Sequence, residues 1–124
     1  MVSDVRLLAV VDDDEDIRVA LTRLASSAGF AVEAFGSGAE FLRSIEDHKP
    51  DCVVLDLHMP EMNGFDVQAA LTSGGAAVPV VIITGHDTPE SRRRAMKLGA
   101  SAYLPKPVDD EALLAAIGSA MGDG

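Results

Sequence analysis

Four short apolar runs in this 124-residue chain each stop at or just before a polar residue. Leu7-Leu8-Ala9-Val10-Val11 runs into Asp12-Asp13-Asp14-Glu15-Asp16, and Cys52-Val53-Val54-Leu55 closes on Asp56. Val80-Val81-Ile82-Ile83 ends at Thr84, and Ala102-Tyr103-Leu104 is followed by Pro105 and Lys106. Runs this short and this uniformly apolar suit strands buried on both faces, the pattern of parallel sheets. The carboxyl ends of parallel strands share one edge, and open α/β sheets bind ligands there. An acidic pair, a single aspartate, a hydroxyl and an ammonium are therefore expected around one pocket.

Between the apolar runs the period changes to that of helices. Ile17, Leu21, Leu24, Ala25 and Ala28 recur at three and four residues, with Gly29 as the stop. Val32 to Phe35 reads as a further strand. Ser37-Gly38-Ala39-Glu40 has the spacing of a capping box ahead of Phe41, Leu42 and Ile45, and Lys49-Pro50 is expected to break that helix. Met59 to Gly64 reads as a loop, Phe65 to Leu71 as a short helix, and Gly74-Gly75 as a flexible return. Thr88-Pro89-Glu90 marks an N-cap with proline in the first turn of a helix that stops at Gly99. Asp109 or Asp110 opens a last helix with Leu113, Leu114, Ile117 and Met121 on one face.

Five βα units in succession predict an α/β fold: a five-stranded parallel sheet covered by helices on both faces. The flavodoxin-like (βα)5 sandwich with strand order 2-1-3-4-5 is the expected architecture, and its switch point separates the strands ending at Asp12 and Asp56. A chain of this size buries roughly two-thirds of its extended surface on folding. The residues are expected to form one domain over 1–124.

The net charge of -10 works against nonspecific binding to nucleic acid or anionic lipid. Cys52 is the only cysteine, so no internal disulfide forms, and it reads as a small buried apolar residue. The N-terminus lacks the pattern of a signal peptide, and no stretch is long enough to span a bilayer, so a cytoplasmic location is expected. Arg92, Arg93, Arg94 and Lys97 make a basic stretch on this acidic chain. A solvated helix face is its default reading, and a partner or dimer contact is the alternative.

The pieces Val11-Asp12-Asp13, Asp56-Leu57-His58-Met59-Pro60-Glu61-Met62-Asn63-Gly64, Ile83-Thr84-Gly85 and Leu104-Pro105-Lys106-Pro107 resemble the receiver domain of bacterial two-component response regulators. Each motif is weak alone, and all four in order are specific. Ile83-Thr84-Gly85-His86 and Ala95-Met96-Lys97-Leu98-Gly99-Ala100 look most like receivers of the FixJ type, which usually precede a helix-turn-helix domain. The resemblance implies that Asp56 accepts a phosphoryl group from a phosphohistidine of a histidine kinase or phosphotransfer protein. It implies that Asp12, Asp13, Asp56 and the backbone carbonyl of His58 hold Mg²⁺, with Mn²⁺ as a substitute. Thr84 and Lys106 would contact the phosphoryl oxygens, Tyr103 falls at the aromatic switch position, and a cis Lys106–Pro107 bond is expected. It further implies a signalling switch and not a turnover enzyme, with pairing of two copies on phosphorylation and a transcriptional output. The chain reads either as a complete single-domain regulator or as the N-terminal piece of a longer one, and the FixJ-type resemblance favours the second.

The chemistry explains these residue types. A carboxylate attacks an anionic phosphoryl group against charge repulsion, and a divalent ion offsets that repulsion and aligns the attack. Mg²⁺ takes hard oxygen ligands and keeps several waters, so few carboxylates suffice. Lys106 offers a point charge, and Thr84 a hydroxyl donor. Thr84 is expected to move toward the phosphoryl group and leave space that Tyr103 fills by turning inward. Moving a two-state equilibrium from 1:99 to 99:1 takes about 5.5 kcal/mol. A few charge-assisted hydrogen bonds at about 1.5–3 kcal/mol each can supply it.

His58 and His86 lie two residues after Asp56 and Thr84, positions that in the family border the phosphoryl group and tune its lifetime. Because imidazole titrates near neutrality, that lifetime is expected to vary with pH. Two other functions fit an aspartate at a strand end or a flavodoxin-like fold. A haloacid-dehalogenase-like Mg²⁺ phosphohydrolase usually carries a second acid two residues on, where this chain has His58. A flavin-binding domain needs a hydroxyl- and glycine-rich loop after the first strand, where this chain has five acids that repel phosphate.

Overall fold

A computed structural model describes residues 5–122. Five strands alternate with five helices. They are β1 Leu7–Val11, α1 Glu15–Ser27, β2 Ala31–Phe35, α2 Gly38–Ser44 and β3 Cys52–Asp56, then α3 Gly64–Ser73, β4 Val80–Thr84, α4 Pro89–Lys97, β5 Ala102–Pro105 and α5 Asp110–Ala120. The strands form one parallel sheet in the order β2-β1-β3-β4-β5, the expected order. Every residue of β3 and β4 is buried, which explains why those two runs carry no polar alternation.

Two apolar cores flank the sheet, and strand residues alternate between them. Ala9, Val11, Val53, Leu55, Val80 and Ile82 face one core with Phe41, Val67, Leu71 and Ala95 from α2, α3 and α4. Leu8, Val10, Cys52, Val54, Val81 and Ile83 face the other, with Ala25, Leu113 and Ile117 from α1 and α5. The result is the three-layer sandwich read from the pattern. Cys52 is fully buried, and that burial pushes its thiol pKa up to about 12, so it behaves as an apolar residue.

The helix ends follow their capping chemistry. The Asp14 side chain accepts the N–H groups of Asp16 and Ile17 at the start of α1, and Asp109 accepts Ala112 N–H at the start of α5. Thr88 caps α4, with Pro89 in its first turn. Gly29 and Gly99 follow α1 and α4 with φ of +97° and +100°, the left-handed conformation that glycine adopts at little cost.

Two expectations about α2 need correction. Its capping box is half-formed: Glu40 N–H donates to Ser37 Oγ at 3.2 Å, while no return bond from the exposed Glu40 side chain is present among the described residues. The complete reciprocal box opens α3, where Asn63 and Asp66 exchange bonds of 2.9 and 3.1 Å. The helix also ends at Ser44, before Lys49-Pro50. Ser44 Oγ donates to Phe41 O, and Glu46 and Asp47 donate back three residues, so tightened turns close the helix first.

Candidate functional site

The register of β1 against β3 pairs Val11 with Leu55, so Asp12 and Asp56 leave adjacent strands at the same level. β4 pairs with β3 on its other side and with β5 beyond, so Thr84 lies opposite Pro105 and Lys106 follows it. The four strand ends thus converge on one edge, as the apolar runs imply. Lys106 Nζ donates to Asp12 Oδ2 at 3.0 Å and stands 3.3 Å from Asp56 Oδ1. Carboxylate oxygens of Asp12, Asp13 and Asp56 all lie within 4.8 Å of one another. Asp12 and Asp56 are buried, whereas Asp13 is exposed and gives the cluster an open side.

Asp12 is fixed on every side. Its N–H donates to Phe35 O at 3.1 Å, its Oδ1 accepts Asp14 N–H at 2.9 Å, and its carbonyl accepts Arg18 Nη1 at 2.7 Å. Arg18 has no counterpart among the residues read from the sequence. Its guanidinium fits because Gly36 has no side chain: a Cβ there would lie 3.3 Å from Nη1. Gly64 N–H donates to Leu57 O at 2.9 Å and brings α3 against the end of β3. A Cβ on Gly64 would lie 2.9 Å from Asp56 O and from Leu57 Cα. Gly36 follows β2 and Gly64 opens α3, and the close contacts of both are tertiary.

The electrostatics favour a cation. Burial raises the Asp56 pKa from 3.8 to about 6, and the charge of Asp12 adds to the rise, while Lys106 works against it. Burial disfavours the charge on Lys106, but its bonds to Asp12 and Asp56 outweigh that, and its pKa is raised. One ammonium among three carboxylates leaves excess negative charge in a partly open pocket. Hard oxygen donors with room for water suit Mg²⁺ or Mn²⁺.

The other anticipated residues stand around this cluster. Thr84 is fully buried, and its Oγ1 accepts His86 N–H at 3.0 Å. Its carbonyl accepts Lys106 N–H, which ties β4 to the lysine. The Lys106–Pro107 peptide bond is cis, as the resemblance implies. His58 and His86 are exposed, and their rings meet edge to face with centroids 5.2 Å apart and planes at 74°. Tyr103 is only 6% exposed and packs into the core. The inward position expected of it on phosphorylation is the one it holds in this structure.

The family model for the response regulator receiver domain matches residues 8–118. The chain belongs to that family. As a receiver domain it is a signalling switch of two-component systems, and nothing supports the phosphohydrolase reading. It is 37% identical over 115 residues to the response regulator protein TodT of Pseudomonas putida, covering 93% of this chain and 51% of that protein. The transcriptional regulatory protein FixJ of Azorhizobium caulinodans is 38% identical over 113 residues, covering 91% of this chain and 54% of FixJ. This receiver spans about half the length of these curated relatives. The crystal structure of FixJ-N superposes with a TM-score of 0.89 at 32% identity, covering 98% of this chain and 96% of that one. No described helix is long and apolar enough to cross a membrane.

Proposed function

We propose that this receiver takes a phosphoryl group from the phosphohistidine of a histidine kinase or phosphotransfer protein onto Asp56, and that residues 1–124 act as one such domain. The observation that carries the reading is the Asp12, Asp13, Asp56 and Lys106 cluster, drawn from three strand ends within hydrogen-bond and coordination reach. An Asp56 carboxylate oxygen attacks phosphorus, the N–P bond breaks as the P–O bond forms, and the departing imidazole nitrogen takes a proton from solvent. Asp12, Asp13, Asp56 and the His58 carbonyl would hold Mg²⁺, which neutralises phosphoryl charge and favours in-line geometry. Lys106 supplies a cation to the transferred oxygens. Thr84 Oγ1, which now accepts from His86, supplies a donor after a short rotation.

The acyl phosphate adds charge and acceptors at the buried strand end, and Thr84 relays that change toward Tyr103 and the α4–β5 face. Self-phosphorylation and self-dephosphorylation are the only chemistry expected of the chain. Its output is transcriptional control through a further domain, in the cytoplasm, with pairing of two receivers as one consequence of phosphorylation. The kinship to the transcriptional regulatory protein FixJ supports this output. The test is intact mass after incubation with acetyl phosphate and Mg²⁺. One added phosphate in wild type, absent in Asp56→Asn and without divalent ion, is expected. A phosphate that persists in Asp56→Asn removes Asp56 from its role.

A further inference from the structure

The face made by α4 and β5 carries a cluster that phosphoryl chemistry does not use. Tyr103 is buried on β5. Its hydroxyl closes no hydrogen bond of ordinary geometry among the described residues, but the Asp87 carboxylate and the Thr88 backbone stand near it, and burial together with the Asp87 charge raises its pKa. The Arg92 guanidinium carbon lies 4.8 Å from the centre of the Tyr103 ring. The same guanidinium stands 3.5 Å from Asp87 Oδ2. Asp87 belongs to the loop between β4 and α4, three residues beyond Thr84. Contacts therefore run from the Thr84 loop through Asp87 and Arg92 to Tyr103.

A buried hydroxyl without a well-formed hydrogen bond does little to hold its ring, so contacts with the ring itself matter more. The ring has core packing on one side and the guanidinium on the other, with Asp87 and the Thr88 backbone near its hydroxyl end. Arginine suits the outer side, because a planar guanidinium can lie on a ring while its edge donates to a carboxylate. The helix needs such a tie. Ala95 is the only buried residue of α4. Its other attachments are Gln68 Nε2 to Ala95 O at 3.0 Å and Arg94 over the Phe65 ring at 4.1 Å. By contrast, Arg93 and Lys97 are exposed and pair with no carboxylate among the described residues.

We propose that Arg92 is the positioning residue for Tyr103: tethered by Asp87, its guanidinium covers the ring, holds it inward and makes the Thr84 loop, α4 and β5 one mechanical unit. This deepens the proposed switch and rests on that reading only for its link to phosphorylation. The clamp itself belongs to the free protein.

Tyr103 is the only tyrosine and the chain has no tryptophan, so tyrosine fluorescence reports this one ring. Acrylamide quenching would be measured without any phosphoryl donor in wild type, Arg92→Ala, Arg92→Lys, Asp87→Asn and, as neighbour control, Arg93→Ala. A cation–π contact at a half-exposed site shifts an equilibrium by about two- to fivefold, so the Arg92→Ala quenching constant should rise by about that factor. Arg92→Lys and Asp87→Asn should rise less, and Arg93→Ala should match wild type. Circular dichroism of each variant separates loss of the clamp from loss of the fold. Quenching in Arg92→Ala equal to wild type, or an equal rise in folded Arg93→Ala, overturns the proposal. If Arg92→Ala does not fold, an Asp87→Asn quenching constant equal to wild type overturns it. These measurements do not involve Asp56, so a failed clamp and a failed phosphoacceptor leave different records: quenching for the first, intact mass for the second.

Discussion

Lys106 donates to Asp12 at 3.0 Å across 94 residues of chain, and this bond closes the pocket edge from β1 to the residue after β5. It also means that an ammonium occupies the space beside the carboxylates that would ligate a cation. Two effects of removing it have opposite sign. Lys106→Ala should bind Mg²⁺ more tightly, by roughly three- to tenfold, because a positive charge within a few ångströms of the ligands is gone. The same variant should accept phosphate from acetyl phosphate far more slowly, because the transferred oxygens lose their cation. Calorimetric Mg²⁺ titration alongside the phosphorylation rate checks both. Weaker Mg²⁺ binding in Lys106→Ala would show that the lysine organises the ligands more than it repels the ion.

The raised pKa of Asp56 makes a statement about stability. The folded-state value, about 6, lies above the unfolded value of 3.8. Below the lower value both states are protonated and the group has no effect. As pH rises through that window, the folded state must ionise a buried carboxyl, so the metal-free protein loses stability, with the full penalty present above pH 6. The rise from 3.8 to about 6 corresponds to about 3 kcal/mol. Asp56→Asn should therefore melt higher than wild type in chelator at pH 7.5, and the difference should shrink toward pH 4. Equal melting temperatures at pH 7.5 would count against an uncompensated Asp56 charge.

The strand ends were legible because burial leaves a mark: uniformly apolar residues that stop abruptly at Asp12, Asp56 and Thr84. Once those runs are aligned as parallel neighbours, the convergence of the site is a matter of register, and the register follows from the pattern. Residues whose role is a single tertiary contact left no such mark. Arg92 and Arg94 read as solvated cations on a basic helix, yet each guanidinium lies over an aromatic ring. Arg18 looks like any charged residue in the first turns of α1, and only the fold shows that Gly36 makes room for it beside the Asp12 carbonyl. The early end of α2 was hidden for a related reason: Ser44 closes the helix through its own backbone bonding, and Pro50 marks only the latest point at which it could stop.

Gly64 should tolerate no side chain. A Cβ there would meet backbone atoms of Asp56 and Leu57 at 2.9 Å, and backbone at the end of a central strand cannot move aside as a flexible side chain can. Gly64→Ala should cost about 1–3 kcal/mol and displace the end of β3. Denaturant unfolding measures the first effect, and the acetyl phosphate rate of the folded fraction measures the second. Gly85→Ala is the contrast: its Cβ would meet nothing within 4 Å, so stability should stay near wild type.

His58 and His86 follow Asp56 and Thr84 by two residues in different loops, and their rings touch, with centres 5.2 Å apart. Residues in contact couple energetically, so their effects on the acyl phosphate should not add. If the two rings together screen the pocket from attacking water, removing either one opens the screen, and removing the second changes little more. His58→Ala and His86→Ala should each shorten the phosphate lifetime by about the same factor, and the double variant should resemble either single one. Dephosphorylation followed by intact mass, after the donor is removed, gives the four rates of the cycle. Rates that multiply across the double variant would mean that each histidine acts on the phosphoryl group alone, and that their contact is incidental to its lifetime.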